Sequence, residues 1–401
     1  MFLAVMGPGI ITANVDNDAG GITTYSIAGA KYGYMLLWSF LPISVMLIVV
    51  QEMVNRMGIV TGKGLSDNIR EKFGVRATFY LMLGILITNF GNIMAEFAGV
   101  AQACDLFGVS EYVSVPLAAV LVWILILKAN YQIVEKVFLV ACLFYVFYII
   151  TAFQGKPDWS EVGKGFVTPS LGTGSASGAF VMILGLVGTT VAPWMQFYQQ
   201  AAVAEKGIRL RDFAWSRLDT IAGGITVCVI AAFIVISCAA TLHAKGITEI
   251  TSAEEAARAL EPLAGRYASI LFAAGLLNAS LFAASILPLS TAFSVCEGLG
   301  WETGVNKQFV QAPQFYALFS LLIAGGAGVV LIPGLNALKI MYYSQVVNGI
   351  VLPIVLYFIL ILANDRKVMG SYRNGPLGNV LSVLTCASVA VLTLLSLVYI
   401  F

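Results

Sequence analysis

The chain is dominated by apolar runs that are long enough to cross a lipid bilayer. A helix needs about 20 predominantly apolar residues to span a hydrocarbon core of ~30 Å. In this sequence of 401 residues, eleven such runs lie between polar loops, at approximately 3–31, 35–55, 77–107, 112–128, 134–153, 177–203, 218–243, 266–299, 313–332, 338–363 and 377–401. Because only helices and closed barrels span lipid, these runs predict an all-α, multi-pass membrane protein of about eleven transmembrane helices.

Composition supports this class and excludes others. Hydrophobic residues make up 59% of the chain and charged residues only 11%, whereas soluble domains contain about 25% charged residues. The net charge of +1 and the lack of a basic run argue against a nucleic-acid partner. The six cysteines form no C-x-x-C pair and His243 is the only histidine, so neither a zinc site nor a Ser/His centre is expected. We therefore expect no enzymatic activity and no resident cofactor.

Lysine and arginine are distributed unequally between the two sides of the predicted bundle. If the N-terminus is cytoplasmic, the loops on that side contain most of the 22 basic residues, among them Arg56, Arg70, Lys72 and Arg217. This excess favours a cytoplasmic N-terminus. We further expect a monomer in the plasma (inner) membrane. On the opposite side, Ser252 followed by Glu255 resembles a capping box and predicts a short surface helix over 252–262, with no chemical role.

A polar stretch interrupts the first apolar run. Residues 14–21 are Asn-Val-Asp-Asn-Asp-Ala-Gly-Gly. A carboxylate at bilayer depth costs at least ~2.5–3.5 kcal/mol, which makes Asp18 a functional candidate. The glycines weaken the helix and the polar side chains compete for its backbone, so we expect a break. The break would free carbonyls near Val15 and Asn17 beside Asp18, a donor set that suits a hard cation. The alternative is a capping turn that binds no ligand.

A second interruption is predicted in the sixth run. Residues 185–194 are Gly-Leu-Val-Gly-Thr-Thr-Val-Ala-Pro-Trp, and Pro193 both removes a backbone donor and clashes with the preceding turn. Paired interruptions mark the binding site in inverted-repeat transporters, which brings Gly188, Thr189 and Ala192 into the candidate site. Two repeats of five helices, 3–153 and 177–363, then leave one extra helix at 377–401. A plain Gly/Pro kink is the alternative.

Further polar residues lie inside the third and tenth apolar runs. Glu96 is midway along the third run, with Asn89 and Asn92 nearby, and is either a second acid of the same cavity or a buried structural carboxyl. Gln345 and Asn348 lie one helical turn apart in the tenth run. Each is either a ligand or a hydrogen-bonding contact between helices.

These motifs resemble the NRAMP family of divalent metal transporters. Residues 18–21 align with the family's D-P-G-N, and residues 189–194 with A-T-V-M-P-H. Residues 56–65, Arg-Met-Gly-Ile-Val-Thr-Gly-Lys-Gly-Leu, are similar to R-L-G-I-V-T-G-x-D-L, and residues 344–346 to S-Q-V. The resemblance implies a LeuT-type fold with a 5+5 inverted repeat, broken helices 1 and 6, and transport by alternating access.

The departures from the family pattern concern the metal site itself. Gly21 replaces the family's metal-binding asparagine, Ala192 its methionine and Trp194 its histidine. The acid pair of the third helix is reduced to Glu96, and no arginine occurs between 266 and 366. A thioether favours soft metals, so its loss favours Mg²⁺, which keeps several of its waters. This pattern resembles the NRAMP-related magnesium transporter branch.

The sequence therefore predicts a carrier of Mg²⁺, and also of Mn²⁺, whose transport is not tightly coupled to protons. Its expected partners are the divalent ion and the bilayer. The expected metal-site residues are Asp18, Glu96, Gln345, Thr189, Ala192, Gly21, Asn17, Val15 and Gly188. One alternative is a proton-coupled Mn²⁺ or Fe²⁺ transporter of the same family. Another is a LeuT-fold carrier of organic solutes, although Asp18 and Glu96 would repel a carboxylate substrate.

Overall fold

The computed structural model describes residues 8–128, 145–171, 176–261, 265–303 and 309–400. Within these ranges the regular structure is helical, without a β-strand. In chain order the helices are α1 (Pro8–Val15), α2 (Ala19–Tyr32), α3 (Phe40–Thr61), α4 (Leu65–Asp105), α5 (Glu111–Lys128), α6 (Val146–Gln154), α7 (Trp159–Val167), α8 (Ala176–Thr190), α9 (Pro193–Glu205), α10 (Phe213–Thr241), α11 (Ala253–Ala257), α12 (Ala268–Leu299), α13 (Pro313–Val330), α14 (Ala337–Asn364), α15 (Arg366–Met369) and α16 (Pro376–Ile400). The all-α fold class is confirmed.

Most predicted membrane segments correspond to long apolar helices. Among the described residues, eight helical spans are long and apolar enough to cross a membrane, and α5 is a shorter apolar helix. The first predicted segment, 3–31, is absent from the eight because it is divided into α1 and α2. The fifth, 134–153, lies largely outside the described residues, which resume at position 145.

The helix of the third segment begins earlier than predicted. Helix α4 starts at Leu65 rather than near residue 77, and non-helical backbone at Gly74 divides it (φ 82°, ψ 167°). The part before the division is polar, and its Lys72 pairs with Asp365 in the turn after α14. Nearby, Arg56 of α3 donates a hydrogen bond to Asn374. Basic residues that the sequence assigns to one side of the membrane thus share one end of the bundle.

The first interruption forms where the polar stretch predicts it. Helix α1 ends at Val15 and α2 begins at Ala19, with Asp18 as its N-cap. The Asp18 side chain accepts a hydrogen bond from the Gly21 backbone N–H at 2.6 Å. Aspartate is a preferred N-cap because its oxygen satisfies a backbone donor that the helix cannot. The residue that ends the apolar run therefore also starts the second half-helix.

The second interruption is one residue shorter and is built differently. Helix α8 ends at Thr190, and α9 begins at Pro193 after Val191 and Ala192. Ala192 is the N-cap of α9 and provides no side-chain hydrogen bond, while Pro193 occupies the first turn. Proline is tolerated there because its missing N–H would have no partner within the helix. This break therefore depends on backbone conformation rather than on a polar cap.

Helix α14 touches both interruptions. At Gly188 of α8, a Cβ atom would lie only 2.0 Å from the Gln345 carbonyl oxygen and 2.5 Å from the Gly349 backbone nitrogen. At Gly20 of α2, a Cβ atom would lie 2.0 Å from Nε2 of the Gln345 side chain. Small residues let helices approach closely inside a membrane. The glycines of both breaks thus place α14 against the centre of the bundle.

The predicted helix over 252–262 is shorter and less exposed than expected. Helix α11 covers Ala253–Ala257, and Ser252 caps it by accepting from the Glu255 N–H. Hydrogen bonds from the Thr251 backbone and hydroxyl lower the pKa of the Glu255 carboxyl. Ala256, Ala257 and Leu260 are buried, so the segment is packed onto the bundle rather than lying on its surface. Ala253 and Ala256 line a small cavity with Thr23 and Met341. This segment therefore packs over α2 and α14 at Thr23 and Met341.

Candidate metal-binding site

Asp18 occupies the centre of the candidate site. It is only 4% exposed and lies at the start of α2, between the two halves of the first segment. The N-terminus of a helix carries a partial positive charge, which stabilises a carboxylate at that position. One oxygen, Oδ1, is engaged by the Gly21 N–H. The fold therefore holds a buried acid in a fixed orientation at the break.

Glu96 of α4 meets Asp18 from the opposite side. Its Oε2 accepts a hydrogen bond from the Ala19 backbone N–H at 3.3 Å, and its side chain lies within hydrogen-bonding reach of Asp18. Its other oxygen, Oε1, is buried without a partner. Two carboxylates cannot lie this close unless a proton or a cation lies between them. The predicted pairing of these two acids is therefore present in the fold.

Gly21 and Thr189 form the side of the site that faces α8. A Cβ atom at Gly21 would lie 2.7 Å from the Asp16 carbonyl oxygen, 3.1 Å from Thr189 Oγ1 and 3.4 Å from Asp18 Oδ1. The Thr189 hydroxyl is buried, forms no hydrogen bond of good geometry and lies within reach of the Tyr25 hydroxyl. Glycine at position 21 does not leave open space, because these oxygens fill much of the volume that a larger side chain would take. Gly21 therefore brings hard donors together as well as removing an amide.

Gln345 and Gly188 lie on the remaining side. The Gln345 side chain packs against Gly20, and its backbone carbonyl packs against Gly188. The side-chain Oε1 accepts a hydrogen bond from Asn348 Nδ2 at 2.9 Å, so the nitrogen faces Gly20. Asn348 in turn pairs with Asn92 of α4. Asn348 is thus a contact between helices, whereas Gln345 borders the break.

The other predicted residues lie at the two breaks, with more varied surroundings. Val15 is the buried last residue of α1. Asn17 is fully buried and its side-chain atoms have no partner, while its carbonyl accepts from the Tyr145 hydroxyl at 2.6 Å. The Ala192 carbonyl accepts from Gln196 Nε2 at 3.3 Å. The carbonyls of Asn17 and Ala192 therefore already have donors, whereas the Asn17 side chain is unpaired.

Asp16 is a residue that the sequence interpretation left out. It is 1% exposed and its Oδ2 has no partner. Its carbonyl approaches Gly21, and its carboxyl lies near Tyr25 and Cys228. The signal was available in the sequence, because Asp16 lies in the same polar stretch as Asp18. What the sequence did not reveal is that α10 contributes a neighbour on that side.

The chemistry of the site follows from its donors. No group of three or more His, Cys, Asp or Glu side chains is gathered in the described part of the chain. The site instead combines the Asp18 and Glu96 carboxyls with hydroxyl, amide and backbone oxygens. Hard cations such as Mg²⁺, Ca²⁺ and Mn²⁺ prefer oxygen donors of this kind. A buried set of unpaired oxygens next to two acids is suited to a divalent ion and unsuited to an anion.

Comparison with known sequences gives a consistent result. The family model described as "Natural resistance-associated macrophage protein-like" (Nramp) matches residues 9–399. A divalent metal cation transporter MntH from Aeromonas hydrophila subsp. hydrophila is 29% identical over 389 residues, covering 93% of this chain and 90% of that protein. The protein of the same name from Pectobacterium carotovorum subsp. carotovorum is 27% identical over 387 residues, covering 93% of this chain and 89% of its own length.

Solved structures show the same architecture. A manganese transporter from Eremococcus coleocola, crystallised with an aromatic bis-isothiourea compound, superposes with a TM-score of 0.81 at 23% identity, over 99% of this chain and 86% of that one. The inward-facing conformation of Mhp1 gives a TM-score of 0.61 at 13% identity, over 98% of this chain and 88% of that one. Likeness at these identities concerns the fold, and it confirms the LeuT-type architecture with broken first and sixth segments.

Proposed function

This chain belongs to the Nramp family, and on that basis we propose that it carries divalent metal ions, principally Mg²⁺, across a lipid bilayer. The family match and the helices make it an integral, multi-pass membrane protein and a transporter rather than an enzyme. One observation supports the cargo most directly. Asp18 and Glu96 lie side by side in the bundle, next to unpaired oxygens of Glu96 and Thr189. A divalent cation would neutralise both acids and use the unpaired oxygens.

Preference for Mg²⁺ is supported by the residues that stand at the family's ligand positions. Ala192 offers no sulfur where the family has methionine, and Gly21 gathers carbonyl and hydroxyl oxygens where the family has asparagine. Thiolate and thioether donors select soft metals, whereas oxygen donors suit Mg²⁺ and Mn²⁺. Mg²⁺ retains several waters, and unpaired Thr189, Glu96 and Asn17 atoms are available to hold them. We therefore propose Mg²⁺ as the principal cargo, in line with the resemblance to the NRAMP-related magnesium transporter branch, and Mn²⁺ as a second cargo.

The transport cycle we propose is alternating access. Asp18 and Glu96 are at most 4% exposed, so the ion site is enclosed by protein. The half-helices α2 and α9 begin at that site, and short breaks allow each half to tilt separately. Opening on either side then requires movement of half-helices rather than rupture of a continuous one. We propose a monomer in the plasma (inner) membrane, with a cytoplasmic N-terminus.

We also propose that transport is not tightly coupled to protons. Trp194 stands where the family has histidine, and Ile93 where it has a second acid. No arginine occurs between 266 and 366 to continue a charged relay. A liposome that acidifies in step with metal entry would contradict this part of the proposal and favour a proton-coupled Mn²⁺ or Fe²⁺ transporter.

An organic-solute carrier is the alternative with the same fold. Mhp1, described as a nucleobase-cation-symport-1 family transporter, shares the architecture. The acid pair Asp18 and Glu96 disfavours carboxylate substrates, since each acid would repel a second negative group at close range. Binding of a divalent ion without any organic solute separates these alternatives.

The test is uptake of Mg²⁺ into proteoliposomes that contain the purified protein and an internal Mg²⁺-sensitive dye. We expect saturable uptake that Mn²⁺ inhibits. Replacing residues around a metal's ligands costs about 10–100-fold in affinity, so Asp18→Ala, which removes a ligand, should reduce uptake at least about 100-fold. Asp105→Ala is the matched control, because Asp105 is an exposed aspartate at the end of α4.

The outcomes separate the possibilities. Uptake lost in Asp18→Ala but retained in Asp105→Ala supports the proposed site. Mn²⁺ uptake without Mg²⁺ entry would assign the chain to the transition-metal branch. If neither Mg²⁺ nor Mn²⁺ is taken up, the proposed function is overturned. Equal uptake by Asp18→Ala and the unmodified protein would show that the ion binds elsewhere.

A further inference from the structure

Three buried amides join α4 to α14 beside the candidate metal site. Asn92 and Asn348 exchange two hydrogen bonds across the helix interface, each with 3.0 Å between nitrogen and oxygen. Asn348 Nδ2 also donates to Gln345 Oε1 at 2.9 Å. All three residues are at most 1% exposed, so their amides satisfy one another. Asn92 lies one helical turn before Glu96, which places this amide triad on the same face of α4 as the acid.

The direction of these hydrogen bonds determines what Gln345 offers to the site. Because its Oε1 accepts from Asn348, its Nε2 faces Gly20, where it fills the position that a Cβ of Gly20 would take. Gly20 is two residues from Asp18, in the first turn of α2. An amide nitrogen only donates hydrogen bonds, whereas Mg²⁺ and related ions bind oxygen. In this arrangement Gln345 cannot ligate a metal ion.

A second arrangement of the same atoms is possible. Rotating a side-chain amide by 180° exchanges its oxygen and nitrogen with little movement of heavy atoms. Gln345 cannot rotate alone, because its NH₂ would then face the NH₂ of Asn348. Asn348 cannot rotate alone either, because both of its bonds to Asn92 would become donor–donor or acceptor–acceptor contacts. If all three rotate together, every hydrogen bond within the triad re-forms and Gln345 Oε1 faces the site. Only the long hydrogen bond from Gln345 Nε2 to Ser344 Oγ, at 3.4 Å, is lost.

We propose that Asn92 and Asn348 are positioning residues that control which atom Gln345 presents, so that cation binding reverses the three amides together. The inference rests on the proposed function, since it concerns the same ion site. The triad holds Gln345 in its donor arrangement in this structure. A bound divalent ion favours the acceptor arrangement, and the number of hydrogen bonds within the triad is unchanged.

Two substitutions of identical chemistry test this mechanism, one on each side of the amide pair. Asn348→Asp offers only acceptors to its neighbours, so Gln345 must turn its Nε2 toward position 348 and its Oε1 toward the ion. Asn92→Asp offers an acceptor to Asn348 in either orientation of Asn348, so it selects neither arrangement of Gln345 and is the matched control for charge. Both variants add the same charge, within one hydrogen-bonded pair of side chains. Any effect of charge alone is therefore expected to have the same sign in both.

We expect the KM for Mg²⁺ in proteoliposomes to be about tenfold lower in Asn348→Asp than in Asn92→Asp, the scale of one hydrogen bond or ligand contact to a charged group. A shift of similar size and the same sign in both variants would overturn the inference. If the unmodified protein takes up no Mg²⁺, the proposed function itself is overturned. Failure of the inference and failure of the proposed function therefore give different results.

A double-variant experiment separates positioning from general structural damage. Gln345→Leu removes the side-chain amide, so we expect Asn348→Asp and Asn92→Asp to give the same KM for Mg²⁺ in that background. If the difference between them persists unchanged, Asn348 acts through the packing of α14 against α4 rather than through Gln345, and the inference fails. If Asn348→Asp does not fold, Gln345→Glu takes its place, because one of its oxygens accepts from Asn348 while the other faces the ion. Its KM should then be about tenfold lower than that of Asn92→Asp, and an equal KM would overturn the inference.

Discussion

The two interruptions are short, three residues in the first and two in the second, and they differ in chemistry. The first break, Asp16–Asp18, contains three buried polar side chains, and Asp18 caps the following half-helix with its own carboxylate. The second break, Val191 and Ala192, contains two buried apolar side chains, and α9 starts with a proline and no side-chain cap. Both breaks lie against α14. Gly20, next to the first break, contacts the Gln345 side chain, and Gly188, before the second break, contacts the Gln345 backbone carbonyl.

This difference assigns separate roles to the two breaks. Charge and therefore affinity for a cation reside in the first break, because Asp18 lies there and Glu96 joins it. The second break and the end of α8 before it contribute the Thr189 hydroxyl, the small Ala192 side chain and the backbone contact at Gly188, which set the shape of the site. Substitutions in the first break should then act on binding, whereas those in the second should act on folding and on selectivity.

The largest effect is expected at the backbone contact of the second break. In Gly188→Ala the new Cβ would lie 2.0 Å from the Gln345 carbonyl oxygen, which cannot move without displacing α14. Overpacking of a well-packed interior costs typically ~1–3 kcal/mol, and a fixed backbone obstacle places this variant at or above the upper end. We expect a large loss of thermal stability in detergent, measured by intrinsic fluorescence, together with loss of transport.

Gly185→Ala is the matched control for that variant. It lies one turn away on the same helix, where a Cβ would make ordinary contacts at 3.5 Å or more. Gly20→Ala probes the first break, where the obstacle is the flexible end of Gln345, so we expect a folded protein with a changed KM. If Gly188→Ala is as stable as Gly185→Ala, the second break is not held by backbone packing and the comparison is wrong.

Much of this fold could be predicted from the sequence because the signals are local. The polar stretch around Asp18 and the Gly/Pro-containing stretch before Trp194 each predict a break, and both breaks are present. The candidate site was predictable in composition, since Asp18, Glu96, Gly21, Thr189 and Gln345 do converge. These are consequences of residue type and spacing along single helices.

What the sequence did not predict are contacts between distant residues. The space at Gly21 is occupied by the Asp16 carbonyl and the Thr189 hydroxyl, which depends on how α8 packs against α2. The orientation of Gln345 depends on Asn348 and, across the interface, on Asn92, 256 positions away from Asn348. Neither follows from a local motif, because a single sequence does not report which helix faces which.

A substitution at Ala192 tests whether the second break sets the preference between Mg²⁺ and Cd²⁺, and its expected effect is of intermediate size. We expect Ala192→Met to raise the KM for Mg²⁺ about tenfold and to improve Cd²⁺ transport, because a thioether favours soft metals. Ala192→Leu is the matched control, since leucine has similar bulk and no sulfur. Competition between Mg²⁺ and Cd²⁺ uptake measures both effects. If leucine and methionine give the same Cd²⁺ preference, volume rather than sulfur governs selectivity at this position.

The smallest effect distinguishes two adjacent hydroxyls at the end of α8. Thr189 Oγ1 is buried, unpaired and close to Gly21, whereas Thr190 Oγ1 bonds the Tyr25 hydroxyl at 2.9 Å. Thr189→Val should therefore raise the KM for Mg²⁺ by about threefold to tenfold with little loss of stability, because it removes an oxygen beside Gly21 and leaves the Tyr25–Thr190 bond in place. Thr190→Val should leave KM nearly unchanged but cost about 1 kcal/mol, because it leaves Tyr25 without its partner. KM and the melting temperature are measured for both variants. If Thr189 faces the ion, KM changes in Thr189→Val and the melting temperature falls in Thr190→Val. A KM change in Thr190→Val and a lower melting temperature in Thr189→Val would assign the ion-facing role to Thr190.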